Sequence, residues 1–442
     1  MLLVGNGPLL TMTQEAPFQG EGAVAIAGGR IVAVAPTEDL RQRYPGAEWI
    51  DADGMVIMPG MINTHMHLYS TFARGMALKE APPADFLEIL HHLWWRLDKA
   101  LTLDDVYYSA LLPLIDCIKS GTTTILDHHA SPHAVRGSLE RIALAAGEAG
   151  VRTCLAYEVS DRDGEAIVQD GIEENIAAIK KYRGQREGNV SATFGLHASL
   201  TLSDATLAAC REAESEVNSG FHIHVAEGIQ DVQDALRRSG QRVVERLASH
   251  GILGPKTVAA HCVHVSETEM AILKETGTMV VHNPESNLAN AVGYAPVGAL
   301  LATGITVGLG TDGYTSDMFE SLKVANILRK SVSGNPGSDL AEISSLVFGN
   351  NQKILSQFYR QPVGRLEPGA CADIILVDYQ APTPINAANW FGHLLFGFNS
   401  GLVDTTIVGG KVLMRGRRLI HLDEAAIAAR GRQLAAELWE RL

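Results

Sequence analysis

Two histidines two residues apart, His65 and His67, close an apolar run that begins at Val56. Further titratable groups recur at the ends of later apolar runs: His224 with Glu227, then His261, then Asp312. Side chains at i and i+2 leave the same face of a strand, so both imidazoles of the pair would point at one place. Joined by His224 and Asp312, they would supply three neutral imidazole nitrogens and one carboxylate. That set suits Zn²⁺, accepts Fe²⁺ or another first-row ion, and leaves room for a bound water. One such ion lowers the pKa of its water from about 15.7 to about 7 and so supplies hydroxide near neutrality. Glu227, three residues beyond His224, is placed to move protons from the water to a leaving group. His261 can polarise the attacked atom or hydrogen-bond the hydroxide. Asp312 could hold the ion and also take the water's proton, so spacing leaves the choice of base between Glu227 and Asp312 open.

A single His-x-His pair in a chain with sixteen histidines would ordinarily be a solvated strand end. The pair acquires meaning only if a fold gathers many strand ends on one rim. From residue 61 to 364, strand-like runs alternate with helical periodicity: strands ending near residues 67, 127, 158, 197, 227, 261, 283 and 312, with helices between them. Eight β/α units in about 300 residues are the number and size expected of a closed (β/α)8 barrel, whose active site lies at the C-terminal strand ends. A doubly wound open sheet would call for a Gly-rich phosphate loop after an early strand, and none is present. The chain ends, residues 1–60 and 365–442, read as β. Gly28-Gly29 and Gly409-Gly410 each separate two short strand-like runs, and residues 372–378 add another. A small β-sandwich domain built from both ends follows, with residues 423–442 as a closing helix.

Polar groups at the other strand ends are Asp127, His128, His129, Glu158, His197 and Asn283 with its preceding His282. Packing alone would favour Val, Ile and Leu there, so the pattern as a whole points to a site. Trp94, Trp95, His129, His133, Glu158, Arg162 and Asn283 are the candidates to shape a substrate pocket. His222 and His282 read as core histidines, and His91, His92, His250 and His421 as structural or solvated.

A formal net charge of −14 without a long basic run argues against nucleic-acid binding, and is compatible with a small neutral or cationic substrate. No run approaches eighteen apolar residues, so no membrane span is expected, and residues 1–12 lack the features of a secretory signal. The five cysteines are scattered without a CxxC, which suits a reducing cytoplasm and rules against a cysteine-held zinc. Assembly into a homo-oligomer would be ordinary.

Several stretches together resemble the amidohydrolase superfamily: residues 59–67, His224-Val225-Ala226-Glu227, Ala260-His261-Cys262, the run from His282 to Asn287, and Leu309-Gly310-Thr311-Asp312-Gly313. With Arg74-Gly75 they resemble the branch that holds S-adenosylhomocysteine, guanine and chlorotriazine aminohydrolases. Residues 93–98, 127–132 and 313–319 are most similar to the SsnA-type aminohydrolases. The resemblance implies a barrel with a composite β-sandwich, one metal, and hydrolytic attack on a ring carbon bearing an amino group, releasing ammonia. It puts His65, His67, His224 and Asp312 on the ion, Glu227 and His261 in catalysis, and His197 on the substrate side. Two-metal members carry a carboxylated lysine at the end of the fourth strand; this chain has Leu196-His197 there, which favours one ion, Zn²⁺ before Fe²⁺. Ring opening of a cyclic amide, or chloride displacement, is the alternative use of the same hydroxide.

Overall fold

The structure is a computed structural model describing residues 1–77, 81–183, 188–337 and 340–442. The chain opens with β1 (Leu2–Leu10), β2 (Phe18–Ala27), β3 (Arg30–Ala35), β4 (Glu48–Asp51) and β5 (Val56–Pro59). β2 and β3 form the hairpin expected around Gly28-Gly29. β1 was not foreseen, because its Gly and Pro residues mask the strand pattern. It is nevertheless central: antiparallel β2 lies on one side, and parallel β4 and β5 on the other.

The apolar run leading to the histidine pair proves to be two strands in two sheets. β5 ends at Pro59, and β6 (Met61–Met66) starts the barrel after a single residue, Gly60. A Cβ on Gly60 would stand 2.1 Å from Thr123 Oγ1, so only glycine lets the chain pass from one sheet to the other here. β6 is followed by β7 (Thr122–Asp127), β8 (Arg152–Leu155), β9 (Val190–Ala192), β10 (Phe194–Ala198), β11 (Phe221–Val225), β12 (Val258–His261), β13 (Met279–His282) and β14 (Val307–Leu309). All pairings among them are parallel, in two runs, β6 to β9 and β10 to β14. β9 and β10 are one barrel position interrupted at Thr193, so the eight expected positions are filled.

Closure joins the last strand to the first. A bridge pairs Met66 with Asp312, and Asp312 N donates to His65 O at 2.9 Å. Below it the Asn351 amide donates to Ile62 O at 2.8 Å and Leu309 O at 2.9 Å, stitching the seam with one buried side chain. Helices wrap the barrel with ordinary end signals. Leu103–Ser120 has a Thr102/Asp105 capping box and a left-handed Gly121, and Asp204–Val217 is capped by Ser203 as expected.

β15 (Ile374–Val377), β16 (Val403–Val408), β17 (Lys411–Arg415) and β18 (Arg418–Leu419) return to the first sheet, in the order β18-β17-β16-β15-β5-β1-β2-β3. Strands from both chain ends thus share one hydrogen-bonded network. The closing helix Glu424–Glu440 does not lie on that sheet. It packs on the helix Leu103–Ser120, where Gly431 meets Leu112, and Trp439 Nε1 donates to Phe72 O at 2.7 Å. A boundary at residue 365 therefore assigns to the small domain a helix that the barrel holds.

Between the sheets, Arg152 on β8 makes a two-pronged contact with Asp373, Nε to Oδ2 at 2.9 Å and Nη2 to Oδ1 at 3.1 Å, both residues being buried. Gly409 N donates to the same carboxylate at 2.7 Å. Taking away one partner of such a pair strands a buried charge. Asp373→Ala is therefore expected to lower unfolding stability by about 3–5 kcal/mol, read from urea denaturation, and a loss under about 1 kcal/mol would contradict this account.

Candidate active site

The strand ends deliver their polar side chains to one place. His65 and His67 project from the end of β6, His224 from β11, and Asp312 from the turn after β14. His67 Nε2 lies 3.1 Å from His224 Nε2 and 2.9 Å from Asp312 Oδ1, while His65 Nε2 lies 3.2 Å from the same oxygen. Tetrahedral bonds of about 2.1 Å put neighbouring donor atoms about 3.4 Å apart, so this spacing is close to what a cation would set.

The other nitrogen of each ring explains why those atoms face inward. His65 Nδ1 meets His222 Nε2 at 2.9 Å, His67 Nδ1 donates to His128 O at 2.5 Å, and His224 Nδ1 donates to His197 O at 3.0 Å. With Nδ1 holding the proton, each Nε2 turns a lone pair to the centre. His65 Nε2 is fully buried there with no hydrogen bond of its own. Electrostatics agree. Burial pushes His65 and His224 down, His65 far below the usual imidazole range. Burial acts on His67 too, yet Asp312 and Glu158 outweigh it and hold that imidazole well above its usual range. Burial likewise opposes ionisation of Asp312, but the imidazoles of His65 and His67 set against its Oδ1 keep it well below the carboxylate range. A cluster that draws a positive charge into a buried position fits a divalent cation.

Glu227 and His261 face each other across this centre, Oε2 to Nε2 at 3.5 Å. Asn287 Oδ1 accepts from His261 Nδ1 at 2.7 Å, and His261 Nε2 is left buried without a partner. Burial, and then the charge of Asp312, push Glu227 up to about 8. Ser286 donates to Asp312 Oδ2, and Asn290 Nδ2 reaches Glu227 Oε1 at 3.5 Å. The backbone turns sharply where these groups are presented: φ is +47° at Ala226, +72° at His261 and +56° at Asp312. Such non-glycine positions cost about 1–2 kcal/mol each, which the surrounding hydrogen bonds offset. Asp231 is one source. Its carboxylate accepts from Ala226 N at 3.0 Å and Leu200 N at 2.9 Å, tying the end of β11 to the loop after β10.

Above the centre opens a cavity, the concave kind of surface that small-molecule sites use. Of the expected pocket residues, Trp94, Trp95, Glu158 and His197 line it, and His133 does not. Glu158 is also anchored from behind, Oε1 lying 3.3 Å from His67 Nδ1 and 3.4 Å from His128 Nδ1. Three others lie off the cavity. His129 Nε2 bonds Ser131 Oγ at 2.9 Å between the rings of Tyr69 and Tyr157. Arg162 is held behind the wall by Asp98, Nη2 to Oδ2 at 2.7 Å. Asn283 is fully buried beneath His261, its Nδ2 3.5 Å from Nδ1 of that ring. Of the histidines read as core, His222 touches the metal-type cluster through His65. Residues missed at the sequence level include Ser286, Asn287 and Asn290. Their signal was available: i, i+1 and i+4 along the helix Pro284–Ala289 and its C-cap Asn290, in a run rich in short polar groups.

Residues 56–413 match the Amidohydrolase family, and residues 22–47 match an Imidazolonepropionase-like composite domain of bacteria. The chain belongs to the amidohydrolase family and is a hydrolase of carbon–nitrogen bonds. It is 33% identical to a 5-methylthioadenosine/S-adenosylhomocysteine deaminase of Pelotomaculum thermopropionicum, over 100% of this chain and 99% of that one. It is 36% identical to a 5'-deoxyadenosine deaminase of Methanobrevibacter smithii, over 88% of each. An adenosine deaminase from Xanthomonas campestris with bound zinc superposes with a TM-score of 0.88 at 25% identity, over 99% of this chain and 98% of that one.

Partners of ligand rings typically govern metal affinity by factors of about 10–100. His222→Ala removes the group that holds His65 Nδ1, so metal retained through dialysis against a weak chelator is expected to fall by about that factor. Unchanged retention by elemental analysis would show that the His65 ring is held by something else.

Proposed function

We propose that this cavity binds an amino-bearing N-heterocycle of the purine-nucleoside kind and hydrolyses its exocyclic C–NH₂ bond, releasing ammonia. The observation that carries the reading is the approach of His67 Nε2 to His224 Nε2, and of Asp312 Oδ1 to both His65 and His67, with Glu227 and His261 beside them. Those first four residues would hold one ion. When bound, the ion supplies a Lewis acid that brings a water molecule's pKa towards neutrality.

The chain's own groups do the rest. Glu227, pushed up to about 8, carries a proton at neutral pH that its carboxyl can hand to a ring or departing nitrogen. His261 keeps its proton on Nδ1 against Asn287, so Nε2 offers an acceptor that orients the attacking water. Asp312 Oδ2, fixed by Ser286, is the second acceptor for a proton from that water. His197 and Trp95 contact the substrate, and Glu158 steadies His67 from the cavity wall.

Zinc is the ion this donor set favours, since three imidazoles and a carboxylate match its preferences, with Fe²⁺ the alternative. Occupancy by one ion is supported by His224. Its Nδ1 is spent on His197 O, so the groups His65/His224/His261/Asp312 and Glu158/His197/His224 compete for one nitrogen. A cytoplasmic setting is supported by five cysteines that are all free and buried, and no helix among the described residues is long and apolar enough to cross a membrane. Assembly into a homo-oligomer draws support from exposed Ile327 and Phe396, 65% and 69% accessible.

Ammonia release from a panel of heterocyclic amines, adenosine and its 5'-deoxy derivatives among them, is the direct test. Glu227→Gln is expected to lower kcat by about 10²–10⁴ while metal content is unchanged. A ring-opened acid or chloride, formed without ammonia, would assign the site to the other chemistry.

A further inference from the structure

Strand β13 carries a histidine where the outer face of a barrel calls for an aliphatic residue. Side chains alternate along a strand, so Val281 and Asn283 share one side and Val280 and His282 the other. Asn283 lies beneath His261, and Val281 packs in a cluster with Leu126, Cys154 and Val258 of other barrel strands. Val280 belongs instead to the cluster that holds Leu300 and Leu322 of the surrounding helices. His282 therefore points outward, into the helix layer. A second cavity opens there, between β13 and the helices Val297–Ala302, Met318–Ser333 and Leu340–Ser345. Among the described residues, none that lines it lines the catalytic cavity.

Its walls are apolar, Val297, Ala325, Leu328, Ile343 and Leu346 among them. Three polar side chains join them. Tyr294, 49% exposed, stands at the mouth. Arg329 is engaged, its Nε and Nη2 each 3.2 Å from Glu342 Oε2. A Cβ on Gly298 would stand 2.6 Å from that Nη2, so the guanidinium is wedged between helices. His282 is different: it is 2% exposed, and its Nδ1 is buried without a partner. Burial pushes the ring down to about 3, so it is neutral and brings one N–H and one lone pair. A buried water needs about two to four polar partners, and these walls offer few besides the ring. A hydroxyl on an apolar molecule suits both ring and walls, because it donates and accepts and so serves whichever nitrogen holds the proton. A bare hydrocarbon would leave the imidazole unpaired. A carboxylate would give up its hydration for a neutral ring and an arginine already held by Glu342.

We propose that the cavity behind β13 is a second ligand site, for a small neutral phenol or aryl alcohol whose hydroxyl pairs with His282. Binding of phenol, benzyl alcohol, toluene and benzoate to metal-loaded full-length protein is measured by ligand-observed NMR. The two hydroxyl compounds are expected to bind at least tenfold more tightly than toluene or benzoate. Leu328→Trp, which fills the cavity from a half-buried wall position, is expected to weaken them at least tenfold. His282→Leu is expected to bring phenol and toluene within twofold of each other. His282→Gln, which keeps a donor and an acceptor, is expected to hold phenol at least threefold ahead, and this variant decides the matter if the leucine variant does not fold. Absence of phenol and benzyl alcohol binding at millimolar concentration would overturn the proposal, as would toluene or benzoate binding as tightly. Unchanged affinity in folded Leu328→Trp would put the ligand elsewhere and overturn it too. So would a hydroxyl preference that survives His282→Leu or is lost in folded His282→Gln. Phenol bound only after dilution of an oligomer to the monomer would give the cavity to a second copy of this chain and sink the small-molecule assignment.

Discussion

Everything at the cavity floor depends on where three protons sit. Each of His65, His67 and His224 has its Nδ1 engaged by a neighbour: an imidazole, the carbonyl of His128, or the carbonyl of His197. With those atoms engaged, the three Nε2 atoms turn towards one centre at spacings close to those a cation would set. Two of these partners are backbone carbonyls at the ends of adjacent strands. Ligand orientation is therefore a property of barrel register, and a slip of one residue in β7 or β10 would disorder the site before any ligand was changed.

The same strand ends store strain. Left-handed φ at Ala226, His261 and Asp312 turns the chain abruptly, so that consecutive side chains can serve different purposes. His224 points to the centre while Glu227 stands off against His261. Asp312 sits where the barrel closes, since its backbone bridges to β6 while its carboxylate meets His65 and His67. Closing the sheet and completing the cluster are one event. The small sheet contributes at a distance, because β5 and β6 are separated by Gly60 alone and Arg152–Asp373 ties the two sheets on the other side.

The cavity combines a polar floor with an apolar, acidic upper wall. Rings and carboxylates there come from segments that share no strand: the stretch Phe86–Ala100, the ends of β10 and β11, and the turn after β14. Their placement shapes the pocket, and the guanidinium of Arg162 behind the wall is engaged by Asp98 and Trp95. Arg162 therefore reads differently in sequence and in space. In sequence it is a candidate to shape the substrate pocket, and in space it is a buried partner of Asp98 held behind the wall.

Much of this was legible from residue types alone. Eight β/α repeats, with titratable groups where packing would place aliphatics, identify the barrel and its rim. His65, His67, His224 and Asp312 follow, because strand-end position is a local property of spacing. Other features are not local. The split of the run 56–67 at Gly60 depends on Thr123, which lies far along the chain. His222 reads as a core residue until His65 is found against it, and Asn283 and His129 read as substrate contacts until neighbouring elements cover them. By itself the sequence determined which groups reach the rim and what charges they bring, since periodicity and ionisation are properties of short stretches. Which ring each proton rests on, which carboxylates are already satisfied, and which side of a strand end is left open were decided only by tertiary structure, because each depends on atoms brought together from opposite parts of the chain.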